Sequence, residues 1–379
     1  PAYEVRQIDG TFDLDSLTHL TAAVEALPPG DGKLITEIDV NGLVKDDQFV
    51  LTTARGTFKV RTTGPVDAGA IVALLAPESQ TAGLCTLDAT GDFQDGRIDA
   101  NLAAEVRELR TQGSRATPIQ PINLRLAGRV GGTQSDVSGD LTLEGEPGRV
   151  ATKFSVQPQT GRFDVPLDEI LGAILTGTPM NLPQMQLTSE GQVDLQRLAQ
   201  AVPGLLQLRE DVEIQQGRLS IRDLAFTGGA TPALAGTIEL TEIHGRHADR
   251  DFALEPLLIA LDVQSREGQP AIVRQAKLES SFATGTAEGD AANLQMQLRA
   301  DLERLYAELS PIFDFGDVRT SGRITLDGRV ARASEGQVDL SFTVAGEELR
   351  YADATRDVTL RQVRLEQTGR LTLDGSRVT

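Results

Sequence analysis

The chain has 379 residues, with 36 Lys and Arg against 55 Asp and Glu, for a formal net charge of −19. That balance repels phosphate backbones and anionic bilayer surfaces, and so argues against nucleic acid as a partner. Apolar residues are 40% of the sequence, aromatics are 4% and tryptophan is absent, so any apolar surface must be built from Leu, Val, Ile and Ala.

In chain order, the first element is the phrase Gly10-Thr-Phe-Asp-Leu-Asp-Ser-Leu17. Leu14, Leu17, Leu20, Val24 and Leu27 follow at spacings of three and four, which predicts an amphipathic helix ending at Pro28-Pro29-Gly30. Ile71 to Leu75 reads as a short helix or lid, and so does Leu167 to Leu175, with Pro166 at its start. Between them, Ile122-Asn-Leu-Arg-Leu126 and Leu141-Thr-Leu143 alternate as strands do, separated by turn signals at Gly131-Gly132 and Glu146-Pro-Gly148.

A helical spacing returns at Leu195, Leu198 and Val202 before Pro203-Gly204, and again at Leu302, Leu305 and Leu309 before Pro311. Alternation covers Leu219-Ser-Ile221, Ile238-Glu-Leu240, Leu294-Gln-Met-Gln-Leu298 and Ile324-Thr-Leu326. It continues through Val338-Asp-Leu-Ser-Phe-Thr-Val344, Val358-Thr-Leu360, Val363-Arg-Leu365 and Leu371-Thr-Leu373. Gly228-Gly229 and Asp327-Gly328 read as turns, and the small residues of Gly285 to Ala292 as a looser one. Successive strands joined by tight turns describe an antiparallel meander.

The opening phrase recurs. Gly191-Gln-Val-Asp-Leu-Gln-Arg-Leu198 and Leu298-Arg-Ala-Asp-Leu-Glu-Arg-Leu305 repeat it closely, and Gly96-Arg-Ile-Asp-Ala-Asn-Leu102 repeats it weakly. Aligned on Asp13, Asp99, Asp194 and Asp301, the copies lie roughly a hundred residues apart, the mark of a linear array of supersecondary units. A second phrase opens on glycine after each: Gly32-Lys-Leu-Ile, Gly128-Arg-Val, Gly217-Arg-Leu-Ser-Ile and Gly322-Arg-Ile-Thr-Leu. One continuous array is expected, in modules of 1–95, 96–190, 191–297 and 298–379. Each repeated aspartate is expected to cap a helix, its carboxylate taking unpaired N–H groups of the first turn.

The fold class expected is mainly β: an elongated, twisted antiparallel sheet curved into an open hydrophobic groove, with short amphipathic helices between modules. The residues expected to line the groove are Leu141, Leu143, Leu219, Ile221, Ile238, Leu240, Ile324, Leu326, Val338, Leu340, Phe342 and Val344. Alternation alone equally allows a tandem β-sandwich array, in which a second sheet covers the same face.

Signals for chemistry are sparse. Cys85, the single cysteine, has no disulfide partner within the chain and reads as a buried or half-buried free thiol. His244-Gly-Arg-His247 reads as an exposed turn in preference to a metal pair, and His19 as a surface or boundary position on the first helix. There is no G-x-S-x-G elbow, phosphate-binding loop or dinucleotide glycine fingerprint, and no cofactor or catalytic residue is assigned. The reading is of a protein that is not an enzyme. No apolar run approaches the ~18 residues that span a bilayer, and no signal peptide is visible. Pro1 and the strand-like Arg370-Leu-Thr-Leu-Asp374 look like cut ends, so any membrane anchor is expected outside this segment.

The run from Gly191 to Arg209 (GQVDLQRLAQAVPGLLQLR), followed by Val212-Glu-Ile-Gln-Gln-Gly-Arg-Leu-Ser-Ile221, resembles the repeat units of AsmA-like proteins, the family that includes TamB and YhdP. The copies around Asp13 and Asp301 resemble it too, so the likeness extends over nearly the whole chain. It implies a bridge-like lipid transport protein of the bacterial envelope, periplasmic and anchored in the inner membrane by a missing N-terminal segment. Its implied partners are phospholipids or other acyl lipids, the two membranes, and an outer-membrane protein. Two other functions fit the same pattern: a structural or adhesion spacer, and a groove that assists outer-membrane protein assembly through exposed strand edges.

Overall fold

The computed structural model describes residues 8–16, 19–27, 31–42, 44–45, 48–49, 55–68, 81–111, 120–133, 135–157, 184–202, 206, 208–209, 211–229, 231–248, 250–266, 269–290, 293–334, 337–374 and 377–378. The expected helices at Ile71–Leu75 and Leu167–Leu175, with Pro166, lie outside the described residues. The protein is mainly β, with long antiparallel strands in open, twisted sheet and two short helices. It divides into two compact units, Pro1–Gly161 with Val193–Leu206, and Arg162–Gln192 with Gln207–Thr379.

The first unit contains β1 (Ile8–Ser16), β2 (His19–Ala26), β3 (Leu34–Asn41), β4 (Val44–Lys45), β5 (Gln48–Phe49), β6 (Arg55–Thr62), β7 (Val66–Asp67), β8 (Thr81–Gln94), β9 (Arg97–Thr111), β10 (Ile122–Thr133), β11 (Asp136–Gly145) and β12 (Gly148–Gln157). Its ladder runs β1-β2-β3-β6-β8-β9-β10-β11-β12, antiparallel at every step. β4 and β5 form a separate small hairpin, and β7 adds to one end of β8. β13 (Gln184–Asp194) then leads into α1 (Leu195–Ala201), which belongs with this unit.

The second unit continues with β14 (Val212–Thr227), β15 (Ala233–His247), β16 (Arg250–Leu254), β17 (Leu257–Arg266), β18 (Gln269–Glu279), β19 (Ala283–Asp290), β20 (Asn293–Asp301), α2 (Leu302–Leu309), β21 (Arg319–Ser334), β22 (Gln337–Ala352), β23 (Asp357–Asp374) and β24 (Arg377–Val378). Its ladder is β14-β15-β17-β18-β19-β20-β21-β22-β23-β24, again antiparallel throughout, with β16 beside the end of β15.

Strands touch their ladder neighbours, and among the described residues no second sheet lies face to face on either ladder. The sandwich alternative therefore does not hold within either unit. Burial agrees, since no large side chain in the described structure is fully enclosed.

Both helices begin as the repeated aspartate requires. Asp194, in extended backbone, accepts the N–H of Arg197 at 3.0 Å, and Asp301 accepts that of Arg304 at 3.0 Å. Each carboxylate satisfies a first-turn donor that has no partner within the helix. α1 stops at Val202 before Pro203, and α2 at Ser310 before Pro311, because proline cannot extend the hydrogen-bond ladder.

The other two copies of the phrase behave differently. Asp13 lies within β1 opposite Thr21, and the helix expected over Leu14–Leu27 is instead the rest of β1 and the strand β2. Leu20, Ala22, Val24 and Ala26 also satisfy a period of two, and pairing with Val40, Ile38, Thr36 and Leu34 on β3 selects that reading. Asp99 follows the tight β8–β9 turn at Asp95-Gly96, where both residues have positive φ, of 52° and 81°. Ile98, Ala100, Leu102, Ala104 and Val106 keep alternating past it, so β9 continues to Thr111 and no helix forms.

Several smaller expectations are also corrected. Gly285 to Asp290 is strand β19, because its glycines and alanine leave room for the larger side chains of β20. Asp327-Gly328 lies inside β21, and Gly131-Gly132 inside β10. His244 and His247 end β15 instead of forming a turn, and His19 lies on β2 with its Nε2 2.9 Å from Asp39.

Replacing Asp194 or Asp301 by Ala should remove about 1 kcal/mol of local stability, read as roughly fivefold faster exchange of the Arg197 or Arg304 amide. Asp99→Ala should leave exchange in β9 beyond Val106 unchanged, since no helix depends on it.

Candidate functional site

Directly opposed residues in an antiparallel ladder point to the same side of the sheet, so the register shows what each face carries. In the first unit Ala22 opposes Ile38, Ile38 opposes Phe58, Phe58 opposes Gly91, and Gly91 opposes Ala100. Ala100 then opposes Val130, Val130 opposes Gly139, and Gly139 opposes Phe154. Two residues further along the strands, Val60, Ala89, Leu102, Gly128, Leu141 and Thr152 form a parallel row. The other face carries Asp39, Thr57, Asp92, Asp99, Gly131 and Ser138 in the same manner. One side of the unit is apolar from β2 to β12, and the other is polar.

The second unit repeats this with different residues. Ile238 opposes Ile221 on one side and Ile259 on the other, and Ile259 opposes Leu278. The row continues through Gly285, Leu298, Leu326, Val344 and Leu365. Beside it run Ala287, Met296, Gly328 and Phe342, and then Gly289, Leu294, Val330 and Leu340.

The residues expected to line a groove fall on these faces. Leu141 and Leu143 belong to the first unit, with Leu141 opposite Gly128 and Leu143 opposite Leu126. Leu219, Ile221, Ile238 and Leu240 form two opposed pairs in the second. Ile324, Leu326, Leu340, Phe342 and Val344 sit together across β21 and β22, and the ladder pairs Val338 with Arg332 and Leu371. The described side chains among the expected lining residues are half-buried or exposed, reaching 41% for Leu143, and on the edge strand Leu365 is 60% exposed. The expected list missed most of the first unit's share, including Ile38, Phe58 and Leu102, whose strands are diluted by Ala, Thr and Gly.

Acidic residues in left-handed backbone keep the apolar face apolar, Glu108 and Asp223 among them. At Glu108 on β9 and Asp223 on β14, φ is 53° and 50°, and the ladder slips by one residue at each. A bulge of this kind inserts one residue and reverses which side the following ones face. The parity therefore switches so that Leu109, and not Glu108, joins Val106, and Phe226 joins Ile221. A period-two reading of sequence breaks at both points. The available signal was an acid at the expected apolar position with a large apolar residue next to it.

One margin of each unit, formed by strand ends, is closed by a helix. Leu109 and Ile122 are buried with Ala201 and Val202 of the α1 segment, and Leu198, Val106 and Leu124 pack around them. Gln120 N–H donates to Gln200 O at 3.2 Å and fixes α1 against the strand ends. In the second unit α2 packs on β16, β20 and β21, Ile312 is buried beyond it, and Arg209 N–H donates to Ile312 O at 3.1 Å. Arg304 holds α2 by reaching Glu255 at 2.6 Å and Glu308 at 2.9 Å.

The polar faces carry exposed ion pairs such as Arg370–Asp339, Arg350–Asp357 and Arg222–Glu239. Open depressions also lie there: one of about 460 Å³ between Glu37, Asp39, Lys59 and Asp92, another of about 400 Å³ between Arg218, Arg222 and Glu239. No group of three or more His, Cys, Asp and Glu among the described residues is placed to hold a metal ion, and no described helix is long and apolar enough to cross a membrane. Comparison with known proteins returned no match: no family model, no curated protein and no solved structure matches the chain.

Cys85 sits on the apolar face of β8, opposite Val106 and buried beside Val66 and Ala68. Burial pushes its thiol above the ordinary value, because the charged thiolate is the disfavoured form there. In the unfolded chain the thiol ionises near pH ~8.5, whereas in the fold it stays protonated to higher pH. Its contribution to stability is therefore complete below about pH 8.5 and declines above it. Urea titrations between pH 7 and pH 10 should show this decline as a difference between the native chain and Cys85→Ala. Iodoacetamide should label Cys85 slowly at pH 8 and quickly in denaturant.

Proposed function

We propose that the apolar faces carry the acyl chains of lipids and let them pass from strand to strand, a non-enzymatic conduit of the AsmA-like kind within a bacterial periplasm. The observation that carries the reading is the run of apolar cross-strand pairs, from β2 to β12 in one unit and from β14 to β23 in the other, with no second sheet over them among the described residues. Soluble proteins rarely leave apolar patches larger than a few hundred Å² without a use for them. A spacer would gain nothing from such faces and would be more stable with them paired.

Magnitudes suit conduction better than storage. Full burial of a methylene is worth about 0.8 kcal/mol, so a tail lying half-covered on an open face gains about 0.4 kcal/mol per CH₂. A dozen methylenes then contribute about 5 kcal/mol, part of which is lost to immobilising the lipid. That holds a tail against return to water without a deep trap at any position. Rows of Leu, Ile, Val, Ala and Gly present near-equivalent steps, and charge on that side lies at a row's end, as Arg332 does opposite Val338. The headgroup stays in water, and selectivity for it is low.

A second reading rests on β23. This strand runs from Asp357 to Asp374, its described side chains are almost all exposed, and β24 pairs only with Leu373 and Asp374. An edge of that length can accept another strand, as assistance to outer-membrane protein assembly would use.

The chain expressed in a bacterial host should co-purify with stoichiometric phospholipid, measured by mass spectrometry after solvent extraction. Leu340→Asp and Ile221→Asp place a carboxylate in the apolar rows and should each reduce bound lipid at least tenfold, because a charge beside a tail must stay hydrated. Ser341→Asp, one residue away on the polar face, should leave it unchanged. A lipid-free wild-type preparation, or equal lipid in all three variants, refutes the conduit. Capture of a β-strand peptide along β23 by the lipid-free chain would favour the second reading.

A further inference from the structure

Glycines on the apolar faces recur opposite phenylalanines. Gly91 opposes Phe58 and Gly139 opposes Phe154 in the first unit, and Gly328 opposes Phe342 in the second. In each pair the ring lies over the glycine, in the space a side chain would fill. A Cβ on Gly139 would lie 2.9 Å from Phe154 Cζ, one on Gly328 would lie 3.0 Å from Phe342 Cδ1, and one on Gly91 would strike the Phe58 ring. A ring laid across the neighbouring strand shields the backbone there and does not stand up from the sheet.

We infer that these ring-on-glycine pairs set the depth of the apolar rows, and that Gly328 with Phe342 determines which tails fit: slender straight chains over methyl-branched ones. The inference rests on the lipid reading above and deepens it. At Gly328 the Phe342 ring and Met296 share the space a side chain would take, in the row over β20 to β22 beside Leu326 and Val330. A tail without branches lies on such a surface along its whole length, whereas each methyl branch lifts part of it off.

Gly328 is the position where this can be changed without disturbing the backbone. The nearest atoms to an added Cβ are all side-chain atoms: Met296 Cγ at 2.5 Å, Met296 Sδ at 2.9 Å and Phe342 Cδ1 at 3.0 Å. At Gly139 the Arg129 carbonyl oxygen would be 2.6 Å away, and at Gly91 the Asp99 carbonyl oxygen 2.7 Å, so substitution there forces the strands apart. Gly328→Ala instead lifts Met296 and Phe342 into the row and makes it shallower. Phe342→Ala leaves only Met296 over the glycine and makes the row deeper.

The test offers the 379-residue chain vesicles of equal parts palmitoyl-oleoyl- and diphytanoyl-phosphatidylcholine, then measures captured lipid by mass spectrometry. Zwitterionic headgroups are used because the chain carries −19. The native chain should capture mainly the straight-chained lipid. Phe342→Ala should raise the branched-to-straight ratio about fourfold, the equivalent of accommodating one methyl group, and Gly328→Ala should lower it. The double variant should return close to the native ratio, which a purely stabilising role for the ring would not produce. If the native chain captures lipid but all variants share its ratio, the pair sets nothing and the lipid reading stands. If the native chain captures no lipid, both fall. Should Gly328→Ala fail to fold by circular dichroism, Phe342→Ala alone decides, and an unchanged ratio overturns the inference.

Discussion

The constraint on which the structure depends is parity. A sheet with no second layer cannot hide a misplaced side chain, so every strand must present its apolar residues to the same side as its neighbours. A slip of one residue in any ladder would turn a whole row over. Hairpin turns fix most of the registers, as Asp95-Gly96 does between β8 and β9. Where strands are too long to alternate without interruption, Glu108 and Asp223 take left-handed backbone and restore the parity beyond themselves. Gly322 performs a related task opposite Glu348. Its φ is 103° and a Cβ there would collide with the Glu347 and Glu348 carbonyls, so only glycine fits this bulge.

Much of this was legible in the sequence, for reasons that the same physics explains. Runs such as Leu219-Ser-Ile221 or Ile324-Thr-Leu326 are strands whose side chains meet across the ladder, so alternation and contact have one cause. Asp194 and Asp301 were readable as caps because helical spacing, a following proline and the Asp-Leu-x-Arg-Leu phrase all agree there. Asp13 and Asp99 were not separable from them by phrase alone. After Asp13 two periods coexist in one segment, and only pairing with β3 decides between them. After Asp99 the tight turn just before it has already committed the chain to a hairpin. The bulges left only a local trace, an acid beside a large apolar residue, and placing them requires knowing which residues lie opposite, which is long-range information.

Charge follows the same division of faces. The ion pairs gather on the polar sides and stay exposed, and pairs of that kind contribute little to stability. Their role is better understood as keeping one side wet and mutually compatible, with Arg370 facing Asp339 directly across β22 and β23. The acidic excess then discourages copies of the chain from meeting through their apolar sides, since any such approach brings like charges together.

Stability in such a fold must be local. Each strand rests on its two neighbours, and the tighter clusters occur where a helix or a short strand covers strand ends, as at Ile122 beneath α1 and Cys85 beside β7. Elsewhere most apolar side chains are half-buried by one another, with Val40 and Val330 among the buried exceptions. This is a weaker arrangement than a two-layer core for the same number of apolar residues, because each forgoes part of its transfer free energy. On the proposed reading, the unrealised part is what a bound tail would gain. A fully covered row would be more stable and could bind nothing; on the lipid reading proposed above, a half-covered row spaced with glycine leaves contact area for an acyl chain at a stability the long ladders can sustain.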